Sequence, residues 1–274
     1  VAHCEDLGYE LSGCDAAVPM KARFEHHEVR ANDIADIIPE GVDAIVHLAA
    51  LSTDASCRDH AYECFDVNVM GTLNLIRAAE QRHAKQFIFA SSEWVYDSFA
   101  EEPRTEDSPI DIAKLTSEYA LSKIVSEANL RQKFQHGFCN TTILRFGIIY
   151  GTRTTNWSAV ESIFNTMKHA DEVTVGSLRT GRFFIHVADI ARGIAMAIGL
   201  AGFNIVNLQG RELVTLGDLV RTSERVLDKR VRVSESAPDD VNVRRVSAER
   251  ARSLLNWQAA VKLEDGLHAL NRIL

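Results

Sequence analysis

The chain has 274 residues, 46% of them hydrophobic and 25% charged, with a formal net charge of −8 and a pI near 5.7. That length suits one large domain or two small ones, and the acidic balance excludes a broad electrostatic affinity for nucleic acid or anionic membrane. The longest apolar stretch, residues 193–203, is too short to span a bilayer.

In chain order, the first seven residues read as the end of a helix that Gly8 terminates. A strand over 9–14 follows, with Asp15 at its tip. A loop through the 20s leads to a helix at about 33–38, a strand at 42–48, a helix at 59–83, a strand at 86–91, a helix at 114–135 and a strand at 141–146. Alternating strands and helices imply a parallel sheet with right-handed crossovers. The runs Ala44-Ile-Val-His-Leu48 and Phe87-Ile-Phe-Ala90 are almost wholly apolar, as strands covered on both faces should be. Ligands of such sheets bind beyond the carboxyl ends of the strands, where Ala49, Ala50, Ser91, Ser92, Phe146 and Gly147 fall. After Gly151 the pattern loosens, and Lys229-Arg-Val-Arg-Val-Ser-Glu235 reads as an exposed strand. Five cysteines (Cys4, Cys14, Cys57, Cys64 and Cys139) have no metal-like spacing and read as reduced thiols of a cytoplasmic protein.

The chemistry concentrates in Ser92 and in Tyr119-Ala-Leu-Ser-Lys123, which begins 27 residues later. Tyr119 and Lys123 are four apart in a predicted helix and share a face. A free phenol titrates near pH 10. An ammonium beside it favours the phenolate, and a lowered value is what a general base needs. The bare Tyr/Lys pair is also common on exposed helices, so its weight comes from its surroundings. These are Val42-Asp-Ala-Ile-Val-His-Leu-Ala-Ala50, Asn68-Val-Met-Gly-Thr-Leu-Asn-Leu75, Phe87-Ile-Phe-Ala-Ser-Ser-Glu-Trp-Val-Tyr96, Leu144-Arg-Phe-Gly-Ile-Ile-Tyr-Gly151 and Arg182-Phe-Phe-Ile-His-Val-Ala-Asp189.

Together these segments resemble the extended short-chain dehydrogenase/reductases, in their NAD-dependent epimerase/dehydratase branch acting mostly on nucleotide sugars. The likeness runs from about residue 1 to the closing helix. It implies an α/β, Rossmann-like doubly wound parallel sheet with a smaller C-terminal substrate lobe. The NAD-binding domain would span 1–151, with 183–208 returning to it, and the substrate lobe mainly 152–274. The family's acidic residue on the adenosine ribose is matched by Asp15, with a strand-end turn residue as the plainer reading. It lies roughly 20 positions beyond a glycine-rich turn. No such glycine pattern is present, so the first strand and its turn are expected to lie before residue 1. Asp15 also favours NAD over NADP, since a carboxylate repels a 2′-phosphate.

The resemblance further implies Ser92, Tyr119 and Lys123 as catalytic residues, with Tyr119 and Lys123 also on the cofactor. Asp33 and Ile34 would meet adenine, although Asp33 also reads as a helix N-cap. Leu48, Ala49, Ala50, Asn68, Ala90, Ser91, Phe146 and Gly147 would border the cofactor. Asn68 reads equally as a helix cap, and His47 as a packed structural histidine. Ser52, Glu93, Trp94, Ile148, Arg182 and Arg244 would face the substrate; Arg182 also reads as a surface ion-pair partner. Sugar 4,6-dehydratases of the family place Asp then Glu where this chain has Glu93 then Trp94, so one carboxylate is replaced by an indole. Glu93 is expected to line the pocket, with an acid role as the alternative. Ile148 stands where the family has an Asn that touches the sugar-nucleotide phosphate.

The leading expectation is 4-epimerisation of a nucleotide sugar with NAD through a transient 4-keto intermediate. Net oxidoreduction of a keto sugar or other carbonyl is the second, and a non-catalytic NAD-binding scaffold the third. A homodimer through the helices at 59–83 and 114–135 is expected, with no metal, nucleic acid or membrane partner.

Overall fold

In the computed structural model, residues 2–16, 24–96, 102–153 and 156–274 are described. The chain divides into two units. The first comprises 1–97, 109–145 and 194–206, and the second 98–108, 146–193 and 207–274.

In the first unit, α1 (Ala2–Asp6) ends at Gly8, whose φ of 82° lets the amide return to Glu5 O at 2.9 Å. Strand β1 (Gly13–Asp15) pairs in parallel with β2 (Phe24–His26), a strand where the sequence suggests a loop. The main sheet contains β3 (Ile45–His47), β4 (Gln86–Ser92), β5 (Asn140–Phe146) and β10 (Phe203–Leu208), in the order β10-β5-β4-β3. The β3–β4 pair is parallel, with Ile45 opposite Phe87. All of β4 is buried, in keeping with its unbroken apolar run. Its single polar side chain before the serines, Gln86, is satisfied by Gly199 N (2.8 Å) and Ala197 O (2.9 Å).

The continuous helix expected over 59–83 is instead α2 (Asp54–Cys57), α3 (Ala61–Phe65), a π-turn at 66–70 and α4 (Gly71–Gln81). Asp59 adopts a left-handed φ of 61°, which separates α2 from α3. At the π-turn the Asn68 carbonyl accepts Thr72 Oγ1 (2.6 Å) and Ser126 Oγ (3.1 Å). Helix α5 (Glu118–Gln135) is N-capped by Ser117, whose hydroxyl accepts Ala120 N at 3.3 Å. Its buried face is largely polar, carrying Tyr119, Ser122, Lys123, Ser126 and Glu127. Ile34, Ile76, Phe87, Phe89, Leu130 and Ile143 form the core of this unit.

The second unit holds β6 (Ile148–Tyr150), α6 (Ala159–His169), β7 (Glu172–Val175), β8 (Gly181–Arg182), β9 (Phe184–His186), the start of α7 (Val187–Ala197), β11 (Val214–Thr215), α8 (Leu216–Leu227), β12 (Arg232–Glu235), α9 (Glu249–Leu255) and α10 (Leu263–Asn271). Its strands pair as β6–β9, β8–β11 and β7–β12, and β12 is largely exposed, as its alternating sequence suggests. Tyr150, Phe164, Met167, Leu219 and Leu267 lie in its core.

Cys57 and Cys64 form a disulfide, with Cα atoms 5.1 Å apart, and Cys4, Cys14 and Cys139 are not part of one. This corrects the expectation of five reduced thiols. The turn between α2 and α3 folds the two cysteines together, which a seven-residue spacing alone does not announce.

Candidate active site

Tyr119 lies in the first turn of α5, where the unpaired amides of the helix favour a negative charge. Its phenol hydrogen-bonds Ser92, the last residue of β4. Trp94 N donates to Ser92 Oγ at 3.3 Å. One turn along α5, Lys123 Nζ donates to Ala90 O at 2.8 Å and lies 5.8 Å from the Tyr119 ring centre. Ser92, Tyr119 and Lys123 are each buried.

Burial pushes the Tyr119 phenol up to about 12, against the lowering effect of the Ser92 hydrogen bond. Burial likewise pulls Lys123 down to about 8, while Glu127 acts to raise it. The expected lowering of Tyr119 is therefore not present in the protein alone, because desolvation outweighs the hydrogen bond. Phenolate formation requires a further positive charge at the site. Lys123 has three N–H donors, and Ala90 O is its one hydrogen-bond partner among the described residues. A buried ammonium with donors to spare fits a ribose diol, as NAD would present.

His47 is also buried, 2.9 Å from Thr72 Oγ1, and burial followed by the Lys123 charge holds it near 3. It is therefore neutral and structural. Asn68 is no helix cap: it lies inside the π-turn, and its amide clasps Leu51 N (2.8 Å) and Leu51 O (3.1 Å) while reaching Ser122 Oγ (3.0 Å). It thus ties the segment after β3 to α5. Leu51 and Trp94 pack with the Cys57–Cys64 disulfide against Tyr119.

The structure thus brings together Asn68, Ala90, Ser91, Ser92, Trp94, Tyr119 and Lys123. Glu93 is buried at the start of a 3₁₀ turn over 93–96. Leu48, Ala49 and Ser52 are exposed beyond β3, and Ala50 is partly buried. Asp15 is exposed at the end of β1. Asp33 makes no capping bond and faces His27 Nε2 at 3.0 Å. The Ile34 side chain is packed in the core. In the second unit Phe146 and Gly147 are buried, and Gly147 N donates to Leu208 O at 2.9 Å. Ile148 is half-buried against the unit's core. Arg182 Nη1 reaches Gly181 O (2.8 Å) and Asn242 O (2.6 Å), and Arg244 is buried.

Two residues carry no motif of their own. Glu127 accepts Arg145 Nε (3.0 Å), Arg145 Nη2 (2.6 Å) and Ser91 Oγ (2.5 Å), and Arg145 Nη1 donates to Tyr96 Oη at 2.8 Å. The available sequence signal was the four-residue step from Tyr119 to Lys123, continued once more to Glu127. Among the described residues no cluster of His, Cys, Asp or Glu could hold a metal ion.

The chain is 25% identical over 231 residues to the UDP-glucuronate 4-epimerase of Thermodesulfobacterium geofontis (strain OPF15), covering 82% of this chain and 70% of that one. It is 28% identical over 264 residues to the UDP-glucose 4-epimerase of Mycolicibacterium smegmatis (strain ATCC 700084 / mc(2)155), covering 90% and 81%. Among solved structures, the UDP-glucose 4-epimerase of Thermotoga maritima with UDP-glucose shares the fold at a TM-score of 0.86 and 21% identity, over 99% of this chain and 94% of that one. The Streptomyces venezuelae dTDP-glucose 4,6-dehydratase, a double mutant, aligns at a TM-score of 0.80 and 25% identity, over 91% and 78%. Residues 1–208 match the model described as the NAD dependent epimerase/dehydratase family, and the chain belongs to that family.

Proposed function

We propose that the protein interconverts 4-epimers of a nucleotide sugar through a transient 4-keto intermediate. The observation that carries this reading is the hydrogen-bonded Ser92–Tyr119 pair with Lys123 one turn below, followed by Glu93 and Trp94 in place of two carboxylates. Tyr119 takes the proton of the C4 hydroxyl and later returns it. Ser92 bonds the same oxygen and holds the carbonyl form. Lys123 keeps positive charge near the phenol and offers its remaining donors to the cofactor ribose. NAD, when bound, supplies the hydride acceptor and donor and, in its oxidised form, the further positive charge the phenolate needs. The Trp94 indole has no basic site and cannot serve as the second proton carrier of an elimination. Arg182 and Arg244 are proposed ligands of the substrate's diphosphate, for which a guanidinium fork is suited.

The test is incubation with NAD and a panel of UDP-, GDP-, dTDP- and CDP-sugars, with products read by NMR beside absorbance of reduced nicotinamide. A new epimer without net NADH supports the proposal. Net NADH with every substrate turned over would replace it with oxidoreduction. We also propose a homodimer through α3–α5; a monomer mass by light scattering at micromolar concentration would contradict it.

A further inference from the structure

The four-residue step that places Tyr119 and Lys123 on one face of α5 also places Glu127 there. Glu127 is 5% exposed and Arg145 3%. A buried carboxylate is costly unless it is paired and fully bonded. Here both oxygens are occupied, Oε1 by Arg145 Nε and Ser91 Oγ, and Oε2 by Arg145 Nη2. Arg145 Nη1 donates to Tyr96. The carboxylate is thus fixed to β4, to β5 and, through Arg145, to the turn that carries Glu93 and Trp94. Ser91 lies between Ala90, whose carbonyl seats Lys123, and Ser92, which holds Tyr119.

Among the described residues, the ionisable groups on the elements packed about Lys123 are Tyr119 and Glu127 on α5, His47 on β3, Glu93 and Tyr96 on the 3₁₀ turn, and Arg145 on β5. His47 is neutral through burial, and Arg145 is committed to Glu127 and Tyr96. On the flanking helices Asp54 engages Arg58, Asp66 engages Arg30, Glu80 engages Lys133, and Glu63 is exposed. Glu127 is the group that acts to raise Lys123 against burial.

We propose that Glu127, held by Arg145 and Ser91, is a positioning residue for the chemical step: it keeps Lys123 charged and seated beneath Tyr119. It touches no reacting atom and acts through Lys123. The role rests on the proposed Tyr119/Lys123 chemistry for its kinetic consequence but not for its electrostatic one.

The test compares Glu127→Gln with the unaltered protein, using NMR titration of ε-¹³C-labelled lysine, with the Lys123 signal assigned by its loss in Lys123→Met. The Lys123 midpoint should fall by about one pH unit, as expected on removing a nearby opposite charge. With a turned-over nucleotide sugar, kcat at pH 8 should fall about tenfold or more while KM stays within about twofold, and the alkaline limb should move to lower pH. An unchanged Lys123 midpoint overturns the proposal, leaving Glu127 as a staple between α5 and β5. If Glu127→Gln does not fold because Arg145 is stranded, the double variant Glu127→Gln/Arg145→Met removes both charges and decides the same question by the same midpoint. If no nucleotide sugar is turned over, the midpoint still decides, and it is the epimerase reading that fails.

Discussion

Reducing the Cys57–Cys64 bond should destabilise the protein by an amount set by the loop it closes. The bond spans a sequence separation of 7, so eight residues lie in the loop. Chain entropy for that length gives about 2.5 kcal/mol at 25 °C. In a chain of this size that corresponds to roughly a 5 °C loss in Tm. Both cysteines are fully buried and pack with Leu51 and Trp94 against Tyr119. The assay is a thermal melt with and without a phosphine reductant, together with the Cys57→Ser/Cys64→Ser double variant as a reagent-free equivalent. Alkylation of the unfolded chain without reductant, read by mass spectrometry, should label three of the five cysteines. Five labelled cysteines, or identical melts in both conditions, would refute the reasoning.

Tyr119→Phe should leave the fold intact and lower kcat by about 10²- to 10⁴-fold, the usual weight of general acid–base catalysis; turnover at the original rate would remove Tyr119 from the mechanism. Ser92→Ala should raise the Tyr119 titration further, because the lost hydrogen bond is the one that lowers it, and difference absorbance near 295 nm against Tyr119→Phe reads the shift. His47 is held near 3 in the fold against an ordinary value of 6.5, so between those pH values the unfolded chain binds the extra proton. Stability should therefore fall as pH drops from 6.5 towards 3, by up to about 1.4 kcal/mol per pH unit. Urea midpoints for His47→Gln should show a shallower slope over that range, and an equal slope would clear His47 of the effect. Gly147→Ala would place a Cβ 2.5 Å from Gln209 Oε1 and 3.0 Å from the Phe183 carbonyl. Overpacking against backbone should cost about 1–3 kcal/mol, checked by urea unfolding; an unchanged midpoint would mean the segment yields freely.

The parts of the fold legible in the sequence are those set by local chemistry. The apolar run of β4 could only be a strand covered on both faces. Gly8 after α1 marks a helix end by left-handed backbone freedom. Tyr119 and Lys123 were legible because helical periodicity puts them on one face whatever surrounds them. The interruption of the helix at 59–83 was not legible: Gly71 stands directly after it, but an isolated glycine inside a helical pattern is tolerated and does not announce a π-turn. It forms where Thr72 and Ser126 draw on the Asn68 carbonyl, and Ser126 is 58 residues away.

By itself, the sequence determined the family, the alternation of strands and helices around the main sheet, and the candidate residues for the chemistry. Only the tertiary structure decided the state of those groups. Burial raises Tyr119 and lowers Lys123, Arg145 meets Glu127 from a neighbouring strand, Cys57 reaches Cys64, and Ile34 turns into the core. Each of these depends on solvent exclusion, on contacts between distant segments or, for the two cysteines, on the course of one turn, and none is encoded in the spacing of residues along the chain.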